Sequence, residues 1–237
     1  MYDLCFLFFD IIAFYKYLVV KRKLLDVNPV IDIETPKKKK QLPKYLSLDE
    51  SLSLLDTIKT DKQSKNAVRD YAIITLFLNC GMRLSELTGL ALDDVDCKQS
   101  QVRVTGKRNK QRVIPFGSEM MSSIHSYLPM RHAMLMEKGI ESNWFFVSEK
   151  SGGRMPDSKV RQIVQAYLGQ VTTLRKKSPH VLRHSFATSM LNHRADLQSV
   201  KELLGHERLS TTEIYTHTTF EELKDMYNQA HPRAPKK

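Results

Sequence analysis

The sequence predicts a mostly helical protein with one small antiparallel β-sheet. Three observations predict it. Apolar residues recur at helical spacing over most of the 237 residues. Only one pair of neighbouring segments alternates as strands do, Gln101–Thr105 and Arg112–Phe116, with a basic loop between them. From Pro179 onward every periodic segment is helical. No internal repeat interrupts this plan.

Residues 4–24 read as a first helix, closed by Lys21-Arg22-Lys23, cations that suit a helix C-terminus. Its apolar face is broad and wants a partner. The run Leu4 to Val20 is short for a membrane span, is broken by Asp10 and Lys16, and lacks the basic start and cleavage site of a signal peptide. Asn28-Pro29 breaks the helix. Residues 35–44, with Lys37, Lys38, Lys39 and Lys40 between prolines, form a basic linker. Such a run could follow a phosphate backbone or could only solubilise the chain. Ser47-Leu48-Asp49-Glu50 is a capping box for a helix to Ile58. A helix over 66–79 ends where Gly81 can take the left-handed conformation, and a short helix follows from Leu84. Asp93-Asp94-Val95-Asp96 lacks the glycine and terminal Glu of a calcium loop and marks entry into a strand. Ser118 caps a helix to Tyr127, and a separate helix follows Pro129. Phe145-Phe146-Val147 reads as a short strand before a Gly turn, and Asp157 opens a helix to Gln170. The last helices are expected at 180–193, 196–204, 210–215 and 219–229.

Hydrophobic residues at 41% are sufficient for a real core. The charge is more telling: 37 Lys and Arg against 26 Asp and Glu, a formal net of +11. Basicity can serve solubility alone, but here it is clustered, at 37–40, at Lys107, Arg108, Lys110 and Arg112, and at 175–177. Clusters of that kind suit a polyanion, because each neutralised phosphate releases counterions. Cys5, Cys80 and Cys97 are few and odd in number. They form neither a disulfide framework nor a metal knuckle and fit a reducing cytoplasm. Cys80 lies in an apolar helical run, as a small core residue would.

The chemistry concentrates in two late runs, His180-Val181-Leu182-Arg183-His184 and Leu204-Gly205-His206 through Tyr215-Thr216-His217. A phenol is a nucleophile with an ordinary pKa of about 10 and needs help to ionise. Arg presents planar, permanent donors to phosphate oxygens, and His moves protons near neutral pH. Together they read as attack on a phosphodiester. The bland alternative for Tyr215 alone is an anchoring aromatic. His180 and His184 share a helix face and could ligate zinc, but Val181 stands where a zinc protease has Glu, and no third ligand has a suitable spacing. Upstream, Gly81-Met82-Arg83-Leu84-Ser85-Glu86-Leu87 places Arg83 at a chain reversal and a helix start, a favourable place for phosphate.

Those motifs, with Gly106-Lys107-Arg108-Asn109-Lys110-Gln111-Arg112, occur in the order found in the tyrosine recombinases of the phage integrase superfamily. The chain resembles that family over residues 45–228, in the style of the Xer enzymes. The resemblance implies that Arg83 and Arg183 clamp the phosphate and that Lys107 protonates the leaving 5′ oxygen, with Lys110 a competing candidate. It implies that His180 assists proton movement, that His206 donates to the phosphate, and that Tyr215 forms a 3′-phosphotyrosyl link. Glu86 would brace the site. Lys37 to Lys40, Arg108, Lys110 and Arg112 would contact DNA. Residues 1–34 resemble only the last helix of a SAM-like core-binding domain, 35–44 the linker, and 45–237 the catalytic domain. No metal and no other cofactor is implied. The expected partners are double-stranded DNA and further copies of the chain in a tetramer, with no membrane and no small-molecule substrate. A helix after Tyr215, with Phe220, Leu223 and Tyr227 on one face, would dock into a neighbour; the alternative is that it folds back on its own domain. The competing function is a non-catalytic helical DNA-binding accessory protein or regulator. That would explain the charge but not the ordered set of Arg, Lys, His and Tyr.

Overall fold

Nine helices and one three-stranded sheet make up the described part of the chain. The computed structural model describes residues 4–30, 45–106, 109–205 and 220–232. The chain divides into two units, 1–42 and 43–237.

The first unit holds helix α1 (Leu4–Val20). From Asp10 to its end no residue is buried, and Phe14, Tyr17 and Val20 are among its exposed apolar side chains. The helix ends at Val20, four residues short of the expected end. No described helix is long and apolar enough to cross a membrane.

The second unit is built around helix α3 (Ala67–Cys80), whose residues are buried nearly all the way round. Its neighbours are α2 (Leu48–Thr60), α5 (Ser118–Glu137), α6 (Asp157–Val171) and α7 (Pro179–Asn192). A helix apolar on every side belongs inside a bundle. The capping box of α2 forms as read: the Ser47 hydroxyl accepts from the Glu50 amide at 3.1 Å, and the Glu50 carboxylate accepts from the Ser47 amide at 2.9 Å. Gly81 ends α3 at φ +55°. A Cβ there would stand 2.3 Å from Phe186 Cδ1, so glycine is required for space as well as for conformation. Cys80 is fully buried, and burial pushes its thiol up to about 12.

The short helix α4 (Leu84–Thr88) leads into strands β1 (Val95–Asp96), β2 (Gln101–Thr105) and β3 (Gln111–Pro115). They pair antiparallel in that order. Asp94 and Asp96 serve local turns, accepting from the Ala91 and Gln99 amides. In the β2–β3 register Val102 faces Ile114 and Val104 faces Arg112. Facing residues share one side of a sheet. Arg112 therefore lies on the side of the three buried aliphatics.

Further expectations differ from the structure. Helix α5 is continuous through Pro129, and Ser118 is its first residue, after Gly117. Proline removes one helical hydrogen bond, but the buried face runs on through Tyr127, Arg131 and Leu135, and that packing carries the helix across. Phe145-Phe146-Val147 is not a strand; Val147 makes only an isolated bridge to Arg154. The segment is held instead by Arg131, which donates to the Ser142, Trp144 and Phe145 carbonyls.

Helix α8 (Leu197–Leu204) is capped by Asp196, which accepts from the Ser199 amide at 3.0 Å, and ends at Gly205 with φ +64°. Helix α9 (Phe220–Ala230) packs on α7, α8 and β3 of its own chain. Its Tyr227 is fully buried, donates to Asn79 at 3.3 Å and stacks on His231 at 4.6 Å. The expected helix at 210–215 lies outside the described residues, as does the linker at 35–44.

Candidate active site

The last carbonyls of α8 have no helical partner, and they stand at the negative end of the helix dipole. Three arginines from three separate elements meet them. Arg112 Nε donates to the Leu203 carbonyl at 2.7 Å. Arg183 Nη2 donates to the Leu204 carbonyl at 2.7 Å. Arg83 Nη2 donates to the Gly205 carbonyl at 2.7 Å. Charge-assisted bonds of this kind are the stronger hydrogen bonds of a protein, about 1.5–3 kcal/mol each. The turn that carries the chain into His206 is thus fixed by guanidinium groups.

Arg183 also reaches the end of α3, where Nη1 donates to the Gly81 carbonyl at 2.5 Å. It is buried, and burial, then the neighbouring charge of Arg83, brings its guanidinium down to about 10. It stays protonated at neutral pH.

Glu86 is the counter-ion of the cluster. Its side chain is 1% exposed. Arg112 grips it with both ends, Nη1 to Oε1 at 2.8 Å and Nη2 to Oε2 at 2.9 Å. Arg83 donates Nη1 to Oε1 at 2.8 Å and its backbone amide to Oε2 at 2.7 Å. Burial alone would raise this carboxyl. The Arg112 bonds and charge, then the Arg83 bonds, overcome it and hold the group at about 2. The carboxylate is ionised at any ordinary pH, and it stands between two guanidinium groups.

Of the residues expected in the site, the structure brings Arg83, Glu86 and Arg183 together around Gly205. His180 is exposed in the first turn of α7, one turn before Arg183. Lys107, Arg108, His206 and Tyr215 lie outside the described residues, as do Lys37, Lys38, Lys39 and Lys40. Lys110 is exposed at the hairpin, whose neck is closed by the Gly106 amide donating to the Lys110 carbonyl at 2.8 Å.

Arg112 departs from the expectation of a DNA contact. Its guanidinium is turned inward, with Nε, Nη1 and Nη2 all engaged by Leu203 and Glu86, and its side chain is 14% exposed. The sequence held a signal for this: Arg112 and Ile114 alternate in phase with Val102 and Val104. His184 is half-buried with its ring edge-on to Tyr45 at 5.9 Å. Among the described residues no cluster of His, Cys, Asp and Glu is placed to hold a metal ion.

Comparison with known proteins identifies the family. The phage integrase family matches residues 44–222. Tyrosine recombinase XerC of Pelotomaculum thermopropionicum is 40% identical over 225 residues, covering 94% of this chain and 72% of the relative. Tyrosine recombinase XerC of Alcanivorax borkumensis is 41% identical over 225 residues, covering 95% and 72%. Among solved structures, the XerA recombinase superposes with a TM-score of 0.63 at 29% identity, over 95% of this chain and 84% of that one. The XerH site-specific recombinase bound to its difH substrate before cleavage gives 0.63 at 25% identity, over 71% and 48%. The chain belongs to the phage integrase family and, within it, to the Xer-like tyrosine recombinases.

Proposed function

We propose that this chain cuts and rejoins double-stranded DNA at specific sites through a 3′-phosphotyrosyl intermediate on Tyr215. One observation carries the reading. Arg83 and Arg183, from elements far apart in sequence, both donate to the turn Leu204–Gly205 that leads directly into His206. Two fixed guanidinium groups at one turn suit a phosphate whose charge grows during attack. XerH was solved on its DNA substrate, and the likeness to it supports DNA as the partner here.

In the proposed step the Tyr215 oxygen attacks phosphorus and the bond to the 5′ oxygen breaks. The phenol gives up its proton with help from His180, and the departing 5′ oxygen takes one from Lys107 or Lys110. Arg83, Arg183 and His206 stabilise the phosphorane. The charge that a divalent ion would neutralise is met by guanidinium groups, so cleavage is expected to survive chelator. Rejoining is the same exchange in reverse, with a 5′ hydroxyl as nucleophile. A tetramer holding two duplexes completes the reading; helix α9 folds back on its own domain, so the reading does not rest on its exchange between protomers.

The test uses a pool of nicked duplexes with randomised arms, from which bound members are selected. A nick beside the cleavage site lets the short 5′ fragment diffuse away and traps the covalent complex. The expected result is a denaturant-resistant protein–DNA band that is absent from Tyr215→Phe, with DNA binding retained. An adduct that persists in that variant removes Tyr215 from the mechanism. Retained binding with no adduct in the parent chain would favour a non-catalytic binding protein.

A further inference from the structure

The geometry points to Arg112 as a positioning residue of the site: its guanidinium neutralises Glu86 and so leaves Arg83 aimed outward with its charge available to the phosphate. This inference rests on the phosphoryl-transfer reading above. Three observations support it.

The first is exposure. Exposure rises across the three side chains, from Glu86 at 1% through Arg112 at 14% to Arg83 at 30%. Of the three, Arg83 is the most open to solvent.

The second is the bonding pattern. Arg112 takes both oxygens of Glu86 in a two-pronged pair, while the Arg83 side chain takes one of them. A carboxylate buried beside a single arginine would draw in that arginine's whole fork and cancel its charge. With Arg112 present the carboxylate is already matched. Arg83 is steered by a single bond to Glu86 and another to Gly205.

The third is the fit of the turn. Gly205 lies against the Arg112 guanidinium, where a Cβ would stand 3.1 Å from Nη1. On the other side Gly106 covers the cluster, where a Cβ would stand 3.5 Å from Glu86 Oε1. Arg112 thus packs directly against the turn before His206, while Gly106 of the same hairpin closes over Glu86 and Arg83.

The experiment separates rate from affinity. The parent chain and Arg112→Gln are compared for single-turnover cleavage of the selected nicked duplex and for equilibrium binding to the same duplex without the nick. Cleavage by Arg112→Gln should fall by about 10², the scale set by loss of one preorganised charge. Binding should change little. Arg112→Lys should not rescue cleavage, because one ammonium cannot span both carboxylate oxygens. Glu86→Gln should rescue it: with the carboxylate neutral, Arg112 has nothing left to balance. The double variant Glu86→Gln/Arg112→Gln should cleave within about five-fold of Glu86→Gln alone, a coupling of about 20-fold, within the range for residues in contact.

Binding that falls in step with cleavage would make Arg112 a DNA contact and overturn the inference. So would unchanged cleavage in Arg112→Gln, or a double variant clearly slower than Glu86→Gln. If Arg112→Gln alone does not fold, the comparison of the double variant with Glu86→Gln still decides, since removing both charges together leaves no unpaired carboxylate. Absence of any adduct in the parent chain overturns the phosphoryl-transfer reading and this inference with it. An adduct in the parent that Arg112→Gln retains in full overturns the inference alone.

Discussion

Two buried arginine–carboxylate clusters stand out among the described residues of the second unit, and they behave oppositely. At the site, Glu86 is gripped by Arg112 and Arg83 through both oxygens, and its carboxyl is held down at about 2. Away from the site, Asp70 in α3 accepts from Arg69, whose Nε and Nη2 both go to Oδ1, at 2.9 and 2.7 Å. There burial wins and the Asp70 carboxyl is pushed up, with Arg69 only partly offsetting it. Both side chains are almost inaccessible. The difference is the number and direction of the donors, not the depth. The Asp70 pair fastens α3 to the loop at Glu149, which also accepts from Arg69. The Glu86 cluster gathers α4, β3 and the end of α8, and it keeps a charged residue at the surface.

The sharpest way to break this comparison is to titrate stability. Glu86 has a folded value of about 2 against an ordinary 4.5. A depressed carboxyl contributes stability that is complete above the unfolded value and is lost as pH falls from about 4.5 towards 2. The shift corresponds to roughly 3 kcal/mol. Glu86→Gln should lose about that much at neutral pH and should lack this acid limb. Asp70 gives the opposite sign. Its raised carboxyl favours the folded state while protonated, so the parent should lose stability relative to Asp70→Asn as pH rises from the unfolded value through the folded one. Denaturant midpoints between pH 2 and 7 measure both slopes. Slopes of one sign would mean that the two clusters are the same device.

A second pair sharpens the same contrast with glycines. Gly81, whose carbonyl anchors Arg183, has φ +55° and no room for a Cβ. Gly139 has φ +62° and nothing within 4 Å of a Cβ. Gly81→Ala should cost roughly 2–4 kcal/mol, a left-handed penalty plus the push on Phe186. Gly139→Ala should cost about 1 kcal/mol, the left-handed penalty alone. Thermal melts give both. Equal costs would show that Phe186 moves aside freely.

How far these two regions were legible in the sequence follows from the range of the forces. The Ser47 cap, the Gly81 stop and the β2–β3 hairpin are set by near neighbours, and the sequence reading located them closely. Pro129 suggests a break, yet the helix continues because a buried face on both sides of it outweighs one lost hydrogen bond. Phe145–Val147 reads as a strand but its backbone bonds scatter: Arg131 takes the Phe145 carbonyl, the Phe145 amide donates to Leu90, and the Phe146 carbonyl accepts from Met155. Motif order names Arg83, Glu86 and Arg183, and the structure brings the three together. Arg112 was named for its charge and assigned outward, although its phase with Ile114 placed it on the buried side. What local reasoning could not supply is the meeting of Leu203, Leu204 and Gly205 with three arginines, since those contacts join residues as far apart as Arg83 and Gly205.

The smallest predicted effect tests the outer edge of the scaffold cluster. Glu149 accepts from Arg69, but its side chain is 43% exposed. Burial would raise its carboxyl, yet the Arg69 bond and charge bring it below the ordinary range. An exposed partner trades a water contact for an ion pair and loses side-chain freedom in doing so. Its net contribution is therefore within about 1 kcal/mol. Glu149→Gln keeps a hydrogen-bond acceptor for Arg69, and Asp70 still balances that guanidinium. The loss should be small in dilute buffer and should vanish near 1 M salt, where screening extends only about 3 Å. The loss in Glu86→Gln should persist at that salt, because no counterion reaches a side chain 1% exposed. A Glu149→Gln loss as large as that of Glu86→Gln, or one that survives high salt, would place Glu149 inside the Arg69–Asp70 cluster as a full member.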